Sequence, residues 1–416
     1  MRIARVNSSW MRRLIVAPVA LALLVLFFPS AGQSQKKDAK KGTQKQSTAA
    51  DRMAIDTRNL VWPQPPEIGR IRFSTLYTGE KIDFKAIAEA PKKPKQNWMD
   101  RLAGTRPDSE KNIKVPFQFI RVYGLAVDSK DNIYAADQGV DAIFIIDPKG
   151  DVDFIRNGKD ARFGLITGLA MDDNDRLFVT DSRLHHVLVF DAKHQQQAVI
   201  GTEDLVDPGG VAIDTENQLL YVVDTGADQV KVFDADSFKL LRSIGTPGKK
   251  HTLTDPGTFS LPTHIALDGD GNVFVTDTLN NRVEIFDADG QFISEFGKAG
   301  DGPGYFARPK GIAVDCDGHI WVVDEVQSRV QVFDREGRLL AYFGELGPYP
   351  GQFNGPYGIA IDKKNRVLVS EQFPGRVQVF QYVTDAEAEA ARKKQAGETA
   401  PPTSPAKTAM KGGEGK

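Results

Sequence analysis

Residues 310–344 read KGIAVDCDGHIWVVDEVQSRVQVFDREGRLLAYFG. Four runs stand out in them, GIAVD, IWVVD, RVQVFD and LLAYFG. Each alternates apolar and polar residues or is continuously β-branched, and turns rich in Asp, Gly and Glu separate them. The pattern predicts four strands of about five residues joined by hairpin turns.

The same unit recurs on both sides. Aligned on Asp315, the copies read YGLAVDSKDNIYAAD from Tyr123, TGLAMDDNDRLFVTD from Thr167, GGVAIDTENQLLYVVD from Gly209, THIALDGDGNVFVTD from Thr263, KGIAVDCDGHIWVVD from Lys310 and YGIAIDKKNRVLVSE from Tyr357. The first acids are Asp128, Asp172, Asp214, Asp268, Asp315 and Asp362, spaced 44, 42, 54, 47 and 47 residues apart. A second acid follows nine or ten residues later in every copy: Asp137, Asp181, Asp224, Asp277, Asp324 and Glu371. Nine residues beyond each lies Ile146, Phe190, Phe233, Phe286, Phe333 or Phe380. Six units of four strands at this period predict an all-β fold, a six-bladed β-propeller spanning residues 113–383. The last unit supplies three strands only, and Arg70 to Gly79 (RIRFSTLYTG) has the pattern of the fourth strands, so it is expected to pair there and close the ring.

Composition agrees with a soluble, turn-rich core: 41% hydrophobic, 26% charged, 38 Gly and 23 Pro in 416 residues. One cysteine, Cys316, excludes a disulfide framework and any cysteine-based zinc or iron–sulfur site. The net charge of −2 is a cancellation. Residues 113–383 carry 26 Lys/Arg against 40 Asp/Glu, whereas residues 1–112 carry 21 against 10. An acidic ring excludes a phosphate-binding surface, so no nucleic-acid partner is expected.

The amino terminus has Arg2, Arg5, Arg12 and Arg13, then the uncharged run LIVAPVALALLVLFF over 14–28 and the small residues Ser30, Ala31 and Gly32. This is the pattern of an export signal over residues 1–32, with a periplasmic or extracellular product. An uncleaved inner-membrane anchor with the propeller outside is the alternative. Residues 33–66 read as a basic flexible tether able to touch anionic lipid, and 67–112 as closing strand and connector, with a short helix at Asn97 to Leu102. Asp385 to Lys394 reads as a short helix, followed to residue 416 by a disordered tail.

The units resemble NHL repeats, most closely at Asp277–Asp287 (DTLNNRVEIFD) and Asp324–Asp334 (DEVQSRVQVFD), and DSRLHHVLVFD places His185 where the naming motif has its histidine. The resemblance covers residues 70–79 and 113–383 and implies a six-bladed propeller rather than an activity.

Strands alternating up and down put the first-to-second and third-to-fourth turns at one end of such a ring. Those turns are all tight. The other end receives the long pieces at 156–166, 245–262, 297–309 and 344–356. Binding groups sit on long loops carried by a rigid scaffold, so this loop face is the expected working face. Arg162, Phe163, His185, Asn280, Tyr305, Phe306, Arg308, Gln327, Tyr349, Phe353 and Tyr357 are the candidate contacts; Tyr305, Phe306 and Phe353 have the plain alternative of plugging gaps between blades. His264 joins them because five units have glycine at its position, Gly124, Gly168, Gly210, Gly311 and Gly358, beside the central channel.

The twelve carboxylates are expected to cap backbone N–H groups at strand ends rather than to work as catalytic or metal ligands, and removing one is expected to cost about 1–2 kcal/mol. The peptidyl-amidating lyases, which resemble NHL propellers, hold zinc with three histidines at the channel; the matching positions here offer His264 alone. No catalytic residue, metal ligand or resident cofactor is expected. The reading is a non-enzymatic module binding a protein, peptide or glycan on the loop face. The alternative is a lyase or lactonase-like hydrolase with zinc or calcium at the channel.

Overall fold

The computed structural model describes residues 57–64, 67–81, 116–246 and 251–399. The export signal, most of the tether, the helix expected at 97–102 and the tail from 400 lie outside the described residues.

Five four-stranded antiparallel sheets follow one another along the chain. Blade 1 comprises Val122–Val127, Ile133–Asp137, Ala142–Ile146 and Val152–Arg156, and blade 5 comprises Pro309–Val314, Ile320–Asp324, Arg329–Phe333 and Leu339–Phe343. Blades 2, 3 and 4 repeat the plan from Ile166–Met171, Pro208–Asp214 and Pro262–Leu267. The first strand of each blade lies beside the first strands of both neighbours, the sixth beside the first, so six inner strands surround an axis.

Blade 6 closes the ring as expected. Pro356–Ile361, Arg366–Gln372 and Gly375–Tyr382 are completed by Ile71–Tyr77, which pairs antiparallel with Gly375–Tyr382 through Ile71↔Tyr382 and Phe73↔Phe380. A fifth strand, Val61–Trp62, pairs outside it. That strand falls within the stretch 33–66 read as a tether, and its cause is Trp62, whose ring lies 5.5 Å from Phe343 and 5.9 Å from Phe380. Burying an aromatic in the last seam offsets the ordering of two residues that sequence composition assigns to a linker.

The core is six apolar clusters, one in each seam between blades. One residue at the approach to each blade's first strand fills its seam: Phe119, Phe163, Leu205, Phe259, Phe306 and Phe353, none more than 6% exposed. After blade 6 a helix runs from Asp385 to Thr399, longer than the expected span to Lys394. Its start carries a reciprocal cap, Thr384 N–H donating to Glu387 Oε2 at 2.9 Å and Glu387 N–H to Thr384 Oγ1 at 3.3 Å.

Candidate functional site

The two ends of the ring are built differently from the same acids. At the tight-turn end, each first acid folds its own turn. Asp268 Oδ1 accepts from the N–H groups of Asp270 at 3.0 Å and Asn272 at 2.9 Å, and Asp128, Asp172, Asp315 and Asp362 make the same pair of bonds. At the loop end, each second acid is fully buried and clasps the chain arriving from the previous blade. Asp181 accepts from Gly164, Leu165, Arg183 and Leu184 N–H at 2.5, 2.8, 3.1 and 3.0 Å. Asp137 takes Ile120 and Arg121, Asp224 takes Val206 and Asp207, Asp324 takes Ala307 and Arg308, and Glu371 takes Asn354. These twelve carboxylates fold the scaffold.

At the axis, five of the six equivalent positions are glycine because the inner strands touch there. A Cβ on Gly358 would lie 2.3 Å from the Tyr123 carbonyl oxygen, and one on Gly311 2.6 Å from that of Tyr357. At this level the axial space narrows to about 40 Å³, lined also by Leu125, Leu169, Val211, Ile265, Ile312 and Ile359, room for a few waters at most. His264 is the sixth position. Its two ring nitrogens are buried without a hydrogen-bond partner, and its ring meets Tyr357 edge to face at 4.9 Å. Burial, assisted by the Lys310 ammonium, pushes its pKa down to about 3, so it is neutral at physiological pH.

Around this plug the mouth is one-sided. The residue before each glycine position is Thr167, Gly209 and Thr263 in blades 2 to 4, but Lys310, Tyr357 and Tyr123 in blades 5, 6 and 1. The residue after each second acid splits less evenly, since Gln138 of blade 1 still donates to the Ile166 carbonyl of the next blade at 2.6 Å. Thr225 and Thr278 spend their hydroxyls on the Pro262 and Pro309 carbonyls at 2.7 and 2.8 Å, whereas Glu325 and Gln372 turn toward the mouth. Gln372 Nε2 donates to Glu325 Oε1 at 3.3 Å, the Tyr123 hydroxyl donates to Gln372 Oε1 at 3.2 Å, and Arg308 lies 3.6 Å from Glu325 Oε2. The Tyr123 and Tyr357 rings meet at 4.2 Å, and the Lys310 ammonium stands 5.5 Å from the Tyr357 centroid. Burial lowers the Lys310 pKa and raises those of Tyr123 and Tyr357.

The candidate contacts divide accordingly. Phe163, Phe306 and Phe353 are seam plugs and are removed from the binding set: they occupy the position filled by an apolar residue in all six blades. His185 is exposed but takes the left-handed turn position that Asp141, Asp228, Asn281 and Ser328 share, and its Nδ1 donates to the Val206 carbonyl at 2.5 Å. Asn280 donates to Asp277 Oδ2 at 2.7 Å and to the Leu253 carbonyl at 3.0 Å, and Gln327 to the Gly300 carbonyl at 2.7 Å. These three staple loops. Arg162, Tyr305, Arg308 and Tyr349 are exposed on the loop face, Tyr305 with Lys298 over its ring at 4.9 Å. His264 and Tyr357 come together in the mouth. Tyr123, Lys310, Glu325 and Gln372 were missed, and the repeat alignment carried their signal: three large residues among small ones at one position.

Among the described residues no three His, Cys, Asp or Glu side chains cluster as metal ligands. A channel zinc held by three histidines does not fit a mouth with one histidine and five glycines. Cys316 is exposed and free, and partial burial and its flanking aspartates, Asp317 and Asp315, raise its pKa, which disfavours a nucleophilic thiolate.

The profile of a six-bladed β-propeller family matches residues 263–319, and that of the NHL repeat matches residues 306–333. The chain is an NHL-repeat six-bladed β-propeller. A probable peptidyl-alpha-hydroxyglycine alpha-amidating lyase of Caenorhabditis elegans is 33% identical over 96 residues, 22% of this chain and 26% of the relative, so the match spans about a quarter of that protein. A structure of a Bacteroides thetaiotaomicron protein of unknown function aligns with TM-score 0.52 at 19% identity, covering 63% of this chain and 70% of that one. A gluconolactonase from Xanthomonas campestris aligns with TM-score 0.50 at 17% identity, covering 63% and 86%. At these identities the likeness is one of fold.

Proposed function

We propose that this NHL propeller is an exported, non-enzymatic binding module that takes a protein, peptide or glycan partner on its loop face. The one-sided mouth carries the reading. Where blades 2 to 4 have only Thr, Gly or Ser at these two mouth positions, blades 5, 6 and 1 place Lys310, Glu325, Tyr357, Gln372 and Tyr123 there, with Gln138 of blade 1 alone keeping a staple to the Ile166 carbonyl. Those residue types give contact area and directed polar bonds, and they add little to the scaffold. Export rests on the basic, apolar and small-residue order of residues 1–32. Residues 33–56 are basic and suit a tether at an anionic membrane surface.

The amidating lyase and gluconolactonase relatives favour a second reading, an enzyme at the channel. The chemistry of the mouth speaks against it. His264 is neutral and no carboxylate orients it, so it lacks the partner that a general base ordinarily has.

Thermal melts with EDTA, zinc and calcium separate the two. The binding reading expects midpoints unchanged within about 1 °C; a rise of several degrees with zinc, abolished in His264→Ala, would establish the enzyme reading instead. Pull-down from an exported-protein extract tests the face: Arg308→Glu is expected to lose the captured partner, and equal recovery with both proteins would sink the loop-face assignment.

A further inference from the structure

One seam of the ring is finished differently from the others, and it leaves a cleft far from the mouth. In blades 1 to 5 a tight turn joins the third strand to the fourth. In blades 4 and 5 the glycine of that turn packs on the outer strand of the preceding blade: a Cβ on Gly290 would lie 2.9 Å from Ile244 Cγ1, and one on Gly337 2.3 Å from Phe296 Cβ. Blade 6 has no such turn, because its third and fourth strands come from opposite ends of the sequence. They run on to the pair Ile71↔Tyr382 and part there. One leads back through Arg70 to Pro63, the other forward into the helix at Asp385–Thr399.

Between these two segments and the outer strand of blade 5 lies a cleft of about 580 Å³. Pockets of roughly 300–1,000 Å³ are the size that holds a small organic molecule. The apolar part of this one is Ile71, Trp321, Val332, Leu340 and Ala341. Ile71 and Trp321 are buried at its floor, and Leu340 stands at its lip, 51% exposed. Leu241 holds the same strand position in blade 3 with the same exposure, 50%, but the blade that follows it closes with its turn. A side chain of one type thus stands beside a finished seam in one blade and beside a cleft in the other.

The polar part favours an anion. In a ring with 40 acids to 26 bases, the cleft is lined by three basic side chains, Arg70, His319 and Arg392, against two acidic ones, Asp385 and Glu67. Asp385 is already engaged: Arg70 Nη2 donates to its Oδ1, and His319 Nε2 stands 3.7 Å from its Oδ2. Asp315, bonded to the other nitrogen of His319 at 3.0 Å, raises the histidine's pKa and favours its cationic form. Arg70 also donates from Nε to the Val383 carbonyl at 2.9 Å and from Nη2 to the Tyr382 hydroxyl at 2.8 Å. Those bonds hold the guanidinium in place and leave Nη1 without a hydrogen-bond partner among the described residues. Arg392, two turns along the helix from Asp385, reaches the same cleft and has no ion pair among them. Guanidinium groups with donors to spare recognise a carboxylate, and the apolar floor beside them accepts a hydrocarbon body.

We propose that the cleft between blades 5 and 6 binds an amphipathic organic anion, a carboxylate carried on a medium-length hydrocarbon chain. The body lies on Trp321, Ile71 and Leu340, and the head faces Arg70 and Arg392. This site is separate from the loop face and stands or falls independently of the partner bound there.

Isothermal titration of the full chain with decanoate tests the proposal, with decanol and decylammonium as neutral and cationic molecules of the same chain length. Decanoate is expected to saturate one site in the ring and to bind about tenfold or more tightly than either of the others, the worth of a charge-assisted pair. Arg392→Glu, at an exposed helix position, is expected to weaken decanoate about tenfold and leave decanol unchanged. Leu340→Asp should weaken both, and Leu241→Asp neither. The apolar run at 14–28 is common to all these proteins, so any uptake there is a component that no variant moves. The three substituted side chains are exposed, so melts matching the parent protein certify folding. Equal affinity for the three head groups, a preference for decylammonium, no saturable binding, or decanoate binding indifferent to both cleft variants overturns the proposal.

Discussion

The two ends of this ring are made from one repeat, yet they have diverged in opposite ways. At the tight-turn end an aspartate folds its own five-residue turn in five blades, and Asp214 caps a turn one residue longer in blade 3. At the loop end the second acid reaches about 17 residues back along the chain to hold the segment arriving from the preceding blade, and everything not held by it varies. The rigid part of the loop end is thus invisible on its surface: a buried carboxylate fixes backbone, and the side chains above are released from structural duty.

The comparison has a direct energetic test. Asp181 is fully buried and accepts four backbone N–H bonds, whereas half-buried Asp268 accepts two backbone bonds and one from the Asn272 side chain at 2.9 Å. Removing the first carboxylate strands buried donors; removing the second leaves donors that water can reach. Asp181→Ala is expected to cost about 3 to 4 kcal/mol, above the 1–2 expected from capping alone, and Asp268→Ala about 1 kcal/mol. Urea unfolding of both variants measures the difference, and equal losses would dissolve the distinction between clasp and cap.

One clasp is more heavily loaded, and it gives the loop end a pH dependence. In blade 4, Arg282 pairs with Asp277 at 3.0 Å, Glu284 at 3.1 Å and Glu295 at 2.5 Å. The equivalent of Glu284 in blades 5 and 6 is Gln331 or Gln378, whose Oε1 accepts a backbone N–H while Nε2 donates to a carbonyl. Glu284 accepts from Gly257 N–H at 2.9 Å, but its Oε2 has no partner, and burial raises its pKa to about 8. The unfolded chain gives up this proton near ~4.3. Between the two values the folded state therefore binds more protons than the unfolded, and stability falls as pH rises, levelling above about 8. Glu284→Gln should remove that slope and be more stable than the parent at pH 8. A parent whose unfolding free energy is flat from pH 5 to 8 would contradict it.

The ring was legible because its determinants are periodic. Asp315, Asp324 and Phe333 recur in register, and six recurrences outweigh any local ambiguity. The mouth was half legible for the same reason inverted. His264 stood out as the one departure from five glycines and Tyr357 as an aromatic of the loop face, whereas Lys310 and Tyr123 register only when the residue before each glycine position is compared across all six blades. Phe163 was read as a contact, and Phe306 and Phe353 as contacts or gap plugs, because an aromatic in a long loop looks like either until all six approach segments are aligned, when Phe119, Leu205 and Phe259 show the slot to be structural. Trp62 was hidden by composition: two ordered residues in a polar stretch leave no period.

The smallest expected effect tests whether the mouth has left scaffold duty. His264→Gly restores the residue that five other blades have. It removes one ring contact with Tyr357 and two buried nitrogens that bond to nothing, contributions of opposite sign and similar size. The neutral state of His264 adds no charge term to the balance near pH 7. Unfolding free energy should change by less than about 1 kcal/mol, against the 3 to 4 expected for the Asp181 clasp two blades away. A loss as large as that of Asp181→Ala would mean that His264 plugs the channel for the fold's sake, and the one-sided mouth would then be part of the scaffold after all.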